Sequence, residues 1–196
     1  MVGGFLGCGS AHMVIDALSK SDVKNLTLIS SDTSVSSDDI AKLFFAKKVK
    51  KLIASHIGTN PEVGRQMING ECEVQLVPQG TLAECIRCGG AGLGGFLTKT
   101  GVGTVVEENK TTMVIDDEKY ILEKPLKADV ALIAATLADE FGNLFYQGAS
   151  RNFNPLMATA ADTVIVEAKS ICKVGEISKE SIHTPGVFID FIVKGR

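Results

Sequence analysis

Residues 77–107, VPQGTLAECIRCGGAGLGGFLTKTGVGTVVE, hold the passage on which the reading of the fold turns. An apolar run, Val74, Leu76 and Val77, stops at Pro78. Gln79 follows, and the spacing predicts a helix over residues 81–88. Glycines then stand at 89, 90, 92, 94, 95, 101 and 103, a density that carries a large entropic penalty in a mere connector. Thr98, Thr100 and Thr104 are interleaved with them, placing hydroxyls beside bare N–H groups, a combination that suits a phosphate-bearing or anionic partner. We read residues 89–104 as a site and not as a linker.

Upstream of this stretch, strands and helices alternate. Met1, Val2, Gly3, Gly4, Phe5, Leu6, Gly7, Cys8 and Gly9 read as a strand end and a glycine turn, with Ser10 capping a helix over residues 11–18. Such a strand, turn and helix unit offers N–H groups to anions. A short strand at 26–29, a Ser/Asp-rich loop at 30–39, a helix near 40–46 and a strand at 51–56 follow. Asn60 and Pro61 open a helix that runs to Ile68 and ends at Asn69-Gly70, and a fourth strand covers 71–77. Four such alternations imply an α/β fold built on a doubly wound, mainly parallel sheet.

Downstream the rhythm changes. Residues 111–116 and 119–123, separated by Asp117-Glu118, predict a β-hairpin, so the glycine segment and hairpin form an antiparallel excursion. The parallel pattern resumes at 128–135, an apolar run suited to a buried strand. Strands at 143–147, 163–166 and 187–193 and a helix at 152–161 complete a single domain over residues 1–196, without internal repeat or linker.

Composition narrows the functions. A net charge of −3 and a pI near 5.6 do not make a nucleic-acid footprint, and Lys47, Lys48, Lys50 and Lys51 read as a solvated run. No stretch reaches the roughly 18 to 20 apolar residues of a membrane span. No signal-peptide pattern opens the sequence, and five cysteines without framework spacing point to a reducing compartment, the cytoplasm.

Several motifs have bland readings that outweigh the chemical ones. Cys85-Ile86-Arg87-Cys88 closes a helix instead of opening it, so the dipole does not favour a thiolate, and we read both as structural thiols. His12, His56 and His183 are scattered singly and make no triad or metal pattern. Glu62, before Gly64, lies in a first helical turn that favours an acid in any case. Residues 7–12, GCGSAH, narrowly miss the dinucleotide fingerprint, with Asp32 where a ribose-binding acid would fall, but the later glycines have no place in such a domain.

Taken together, the two glycine segments resemble the alpha subunits of the class I coenzyme A transferases, most nearly the bacterial acetate, butyrate and acetoacetate type. The matching pieces are Gly3-Gly4-Phe5 with Gly9, residues 54–61 (ASHIGTNP), 77–82 (VPQGTL), 87–98 (RCGGAGLGGFLT), 100–104 (TGVGT) and 151–156 (RNFNPL). The resemblance implies the family's α/β fold, a beta subunit as partner in an α₂β₂ assembly, and CoA as a substrate, with no metal or tightly bound cofactor. It implies that Gly3, Gly4, Phe5, Leu6, Gly7, Cys8 and Gly9 help bind CoA and that Gln79 donates to the oxyanion. It implies further that Gly89, Gly90, Gly92, Gly94, Gly95, Phe96, Thr98, Thr100, Gly101, Gly103 and Thr104 line the acyl end of the pocket. The family's nucleophilic glutamate belongs to a Ser-Glu-Asn-Gly stretch of the beta subunit, which is absent here. Ala11 stands where the family has proline, Met13 where some relatives have a donor asparagine, and the family's some twenty residues before the first strand are absent. Two other readings compete: a sugar-phosphate isomerase or sensor domain of related fold, which wants a basic phosphate loop, and a CoA-binding scaffold without turnover.

Overall fold

The computed structural model describes residues 1–35 and 39–195; residues 36–38 of the expected Ser/Asp-rich loop, and residue 196, lie outside the described residues. Side-chain alternation sets the layers. In β1 (Leu26–Ile29), β2 (Val49–Ala54) and β7 (Ala128–Asp139), Leu28, Leu52 and Leu132 enter one buried cluster, while their neighbours Ile29, Ile53 and Ile133 enter the other. A strand apolar at consecutive positions is what a sheet covered on both faces requires. The first cluster takes Ile15 from α1 (His12–Lys20), Leu43 and Phe44 from α2 (Ala41–Phe45) and Val63 from α3 (Pro61–Ile68). The second takes Leu82 and Ile86 from α4 (Gln79–Gly90) and Met157 from α5 (Asn154–Thr159).

Two sets of strands make the sheet. β1, β2 and β3 (Glu73–Leu76) pair in parallel in that order. On the other side β9 (Ala161–Cys172) lies between β7 and β10 (Phe191–Lys194), all parallel, with β8 (Leu144–Phe145) antiparallel to the end of β7. The amino terminus joins the two sets: Val2 forms parallel bridges to both Ser30 and Leu132. Val2 N donates to Ile29 O at 2.9 Å, and Leu132 N donates to Met1 O at 2.9 Å. The chain starts in the middle and winds outward both ways, which is the doubly wound, mainly parallel arrangement the sequence predicts. The antiparallel excursion is β4 (Phe96–Thr98), β5 (Thr112–Ile115) and β6 (Glu118–Glu123), in the order β4-β6-β5.

Local chemistry explains where the elements begin and where the expectations miss. Asn60 accepts from Glu62 N at 3.2 Å and Pro61 takes the first helical position, so α3 starts as expected. Ser10 does not cap α1: its hydroxyl donates to Asp39 Oδ2 at 3.1 Å, and Ala11 holds the cap position without a side-chain bond. The hairpin turn is Asp116-Asp117, one residue earlier than expected, with both residues at positive φ as a two-residue type I′ turn requires. β9 and β7 are each 12 residues long, far beyond the expected 163–166 and 128–135, because their paired backbones run on past the apolar stretch. Residues 186–188 form a 3₁₀ turn, so the last strand begins only at Phe191.

The largest correction concerns α4. It starts at Gln79 and runs through Gly90, so Cys85 and Cys88 lie within it and Gly89 and Gly90 belong to the helix. A Cβ at Gly89 would stand 2.0 Å from Leu126 O, and one at Gly90 2.2 Å from Thr159 Oγ1. These two glycines let α4 pack against neighbouring backbone and side chain, and Gly89 is buried.

Candidate active site

The carboxyl ends of β1, β2 and β3 and the first glycine segment meet at one edge of the sheet, where parallel α/β folds bind ligands. A cavity of about 350 Å³ opens there, lined by Phe5, Leu6, Ser31, Asp32, Ser55, His56, Thr59 and Gln79. Gln79 is the first residue of α4, and its side chain turns away from the helix into this cavity. Its Oε1 accepts from Ser55 Oγ, and its Nε2 donates to Ser31 Oγ at 3.3 Å. Ser55 Oγ is also 2.6 Å from the Ser31 carbonyl, so its single proton is shared between that carbonyl and the Gln79 amide, and the two serines together hold the amide in place. The long Nε2 contact leaves a neutral donor readily redirected to a stronger acceptor, and a developing oxyanion is one.

The first glycine segment is fastened from several sides. Gly3 N donates to Leu132 O at 2.9 Å, Gly4 N to Asn152 Oδ1 at 3.1 Å and Leu6 N to Asp32 Oδ2 at 3.0 Å. Phe5 and Cys8 exchange backbone bonds of 3.0 and 2.9 Å, and Asn152 Nδ2 donates to Cys8 O at 2.9 Å. At Gly9, φ is +72° and an added Cβ would lie 2.5 Å from Ser150 O, so only glycine fits. Most of the N–H groups that the sequence offered to an anion thus have protein partners. The helix start is occupied as well: Met13 N and Val14 N donate to Glu167 Oε2, at 2.8 and 3.1 Å. Glu167 comes from β9, is only 9% exposed, and acts as the anion at the α1 N-terminus.

The second glycine segment does not line the Gln79 cavity in this chain. Gly92, Gly94, Thr100, Gly103 and Thr104 are exposed, while Gly95, Phe96, Thr98 and Gly101 are half-buried. Its turn is held locally. Gly103 N donates to Glu107 Oε2 at 2.7 Å, Thr100 N to Thr98 Oγ1 at 3.1 Å, and Thr104 Oγ1 to Gly101 O at 2.7 Å. The Gly103 amide, and then the ion pair with Lys119, hold the Glu107 carboxyl below the usual glutamate range.

The thiols behave as a structural pair. Cys85 and Cys88 are buried in α4, and burial, followed by the nearby Glu123, pushes the Cys85 thiol up to about 11. Among the described residues no three His, Cys, Asp or Glu side chains gather as a metal site. Sequence reasoning singled out Gln79 but not Ser31 and Ser55, which hold it, nor Asn152 and Asn154, which fasten the first glycine segment. Ser55, Asn152 and Asn154 fall in the matched segments 54–61 and 151–156, where the polar residues looked like loop composition, while Ser31 lies outside every matched segment.

A sheet wound outward from the Val2 backbone, with a cavity at its carboxyl edge, defines a doubly wound α/β fold of the kind that binds ligands at that edge. The coenzyme A transferase family matches residues 1–195, and the chain belongs to that family. It is 56% identical over 193 residues to the acetate CoA-transferase subunit alpha of Escherichia coli K12, covering 98% of this chain and 88% of that protein. To the acetoacetyl-CoA:acetate/butyrate CoA transferase alpha subunit of Clostridium acetobutylicum it is 54% identical over 194 residues, covering 99% and 89%. The fold also matches a crystal structure of an acyl-CoA transferase from E. coli O157:H7 in a thioester complex with CoA, with a TM-score of 0.86 at 21% identity. That match covers 99% of this chain and 45% of the crystallised one, so this chain spans less than half of that protein. Transfer of coenzyme A is the function of the chain, and it corresponds to the alpha subunits of this family.

Proposed function

We propose that this chain, working as one cytoplasmic domain, is the half of a short-chain acyl-CoA:carboxylate CoA-transferase that binds and polarises the acyl group, in an α₂β₂ assembly whose beta subunit brings the nucleophilic glutamate. Acetate, butyrate and acetoacetate are the acids in view. The observation that carries the reading is the Gln79 amide, fixed by Ser31 and Ser55 at the mouth of a cavity of about 350 Å³ walled by Phe5 and Leu6. That volume suits a short acyl group with part of its thioester arm and is too small for a whole CoA.

The chemistry divides one difficult step into easier ones. A glutamate oxygen adds to the acyl-CoA carbonyl carbon, and the electron pair of the C=O moves onto oxygen, where Gln79 Nε2 donates to it. Collapse breaks the C–S bond and leaves a mixed anhydride and CoA thiolate. The thiolate then attacks the glutamyl carbonyl, releases the first carboxylate and forms a glutamyl thioester, from which an incoming carboxylate recovers CoA by the reverse sequence. Gly3, Gly4, Phe5, Leu6, Gly7, Cys8 and Gly9 flank the CoA arm. The glycine and threonine positions of 89–104 close the acyl end once the partner covers them. The phosphate-binding alternative is disfavoured by Glu167, whose carboxylate already holds the α1 N-terminus.

Mixing the purified chain with a purified beta subunit, acetoacetate and butyryl-CoA tests the proposal. Acetoacetyl-CoA should form only when both chains are present, and the glutamyl thioester should be trapped on the beta chain. A thioester found on this chain alone, or no acyl-CoA exchange in an assembled complex, would overturn the reading.

A further inference from the structure

Asp32 stands just past the carboxyl end of β1 and is only 7% exposed. One of its carboxylate oxygens accepts from Leu6 N at 3.0 Å, and the other accepts from Ser34 N at 2.7 Å. Leu6 has φ of +49° and Gly7 of +85°, inside a turn closed by the exchanged bonds of Phe5 and Cys8. This is the backbone of a two-residue type I′ turn, whose first central position favours asparagine or glycine. A leucine there is strained, and strain of that kind persists where the surroundings over-determine the conformation. Asp32 supplies that determination through a charge-assisted bond, and its second oxygen fixes Ser34, itself at φ +61°. The side chains that the turn presents, Phe5 at 46% and Leu6 at 41% exposure, face the same cavity as Gln79.

We propose that Asp32 is a positioning residue for CoA transfer: its carboxylate clamps the Leu6 turn, so that Phe5 and Leu6 form the apolar wall deciding which acyl chains reach Gln79. The inference rests on the function proposed above. The clamp acts through geometry and not through contact with the reacting atoms. Asparagine at position 32 keeps the shape but aims an NH₂ group at one of the two N–H donors, so it opens one side of the clamp.

A double-mutant cycle on the assembled complex separates this role from simple support of the fold. Asp32→Asn, Leu6→Gly and the pair are compared by kcat and KM per assembled site on acetyl-, butyryl- and hexanoyl-CoA. Asp32→Asn should lower kcat/KM for butyryl-CoA about tenfold or more and weaken the discrimination against hexanoyl-CoA, as loss of one charge-assisted bond predicts. In the Leu6→Gly background, where the turn is unstrained and lacks its wall, the same change should shift kcat/KM by less than about threefold. Equal losses in the two backgrounds overturn the proposal, as does a loss confined to melting temperature or assembled fraction with chain-length preference intact. Leu6→Gly alone should already relax that preference, and this arm does not depend on the folding of the Asp32 variant; an unchanged preference overturns the proposal. Hydrogen exchange on the full-length chain reads the clamp without any activity. The Leu6 amide should be protected in the parent protein and should exchange about tenfold faster or more in Asp32→Asn, with the Ile133 amide unmoved. An unprotected Leu6 amide in the parent sinks the clamp. A protected one in a complex that transfers no CoA sinks the functional reading alone.

Discussion

The two glycine segments look alike in sequence and are built in opposite ways. Residues 3–9 are fastened by side chains distant in the chain, Asp32 and Asn152 with Ser150 behind them, and they border a cavity. Residues 89–104 divide into a helical, close-packed start and an exposed turn stitched to itself. Carboxylates of the same chain also meet backbone N–H groups nearby, Glu167 at the helix that follows the first segment and Glu107 within the later turn. Glycine density marks where backbone must be approached closely or turned sharply. What approaches is decided by the rest of the fold.

The sharpest way to test the division is at the residue between the segments. Gln79→Ala in the assembled complex should lower turnover per site about 100 to 1000-fold, the loss of a donor aimed at an oxyanion, about 2.7 to 4 kcal/mol. Gln79→Glu should be at least as damaging, because it replaces the donor by an acceptor and adds negative charge. A loss below about fivefold, with assembly checked by sedimentation, would remove the catalytic edge from the first segment's cavity.

Next in size is a contrast inside the second segment. Gly89→Ala forces a methyl against Leu126 O and should destabilise the chain by about 1 to 3 kcal/mol in urea unfolding. Gly94→Ala meets nothing within 4 Å and should stay within about 0.5 kcal/mol of the parent. If Gly94→Ala nevertheless slows turnover in the complex, the exposed turn meets substrate or partner there. Equal destabilisation by the two substitutions would erase the distinction between packed and open glycines.

The two carboxylates should also differ. Glu167→Gln keeps an acceptor but removes the charge at the α1 N-terminus, and should cost about 0.5 to 2 kcal/mol of stability by thermal unfolding. Glu107→Gln should have a smaller effect, read best as a change in acid sensitivity. The Glu107 carboxyl lies below its ordinary value of 4.5 in the folded chain, so its contribution is complete above that pH and fades as pH falls through the lowered value. The variant should therefore lose less stability than the parent as pH falls below the ordinary glutamate value. A parent and variant with the same acid profile would show that the turn does not depend on its carboxylate.

Much of the fold was legible because it rests on local signals. Asn60-Pro61 with Gly70 bounded α3, and the apolar run at 128–135 announced a buried strand. The misses needed tertiary information. Gly89 and Gly90 read as helix breakers until Leu126 and Thr159 are placed against them. Ser10 reads as a cap until Asp39 is beside it, and Glu167, just past the expected strand at 163–166, carries no signal until α1 is set against it. In the site, Gln79 was legible from its position after a strand and Pro78. Ser31 and Ser55, separated by 24 residues, were not, since only the β1-β2 pairing brings them together.

The placement of Val2 also bears on the order in which the protein can be made. Val2 belongs in the centre of the sheet, yet one of its neighbours, Leu132, is synthesised 130 residues later. Until then the β1-β2-β3 half can assemble early on local contacts, while one edge of the Val2 backbone waits unpaired. Closing so long a loop is entropically unfavourable and slow compared with local pairing. The arrival of β7 is therefore the event that turns two half-sheets into one and, with them, brings the Gly3–Gly4 backbone to the edge where Gln79 waits.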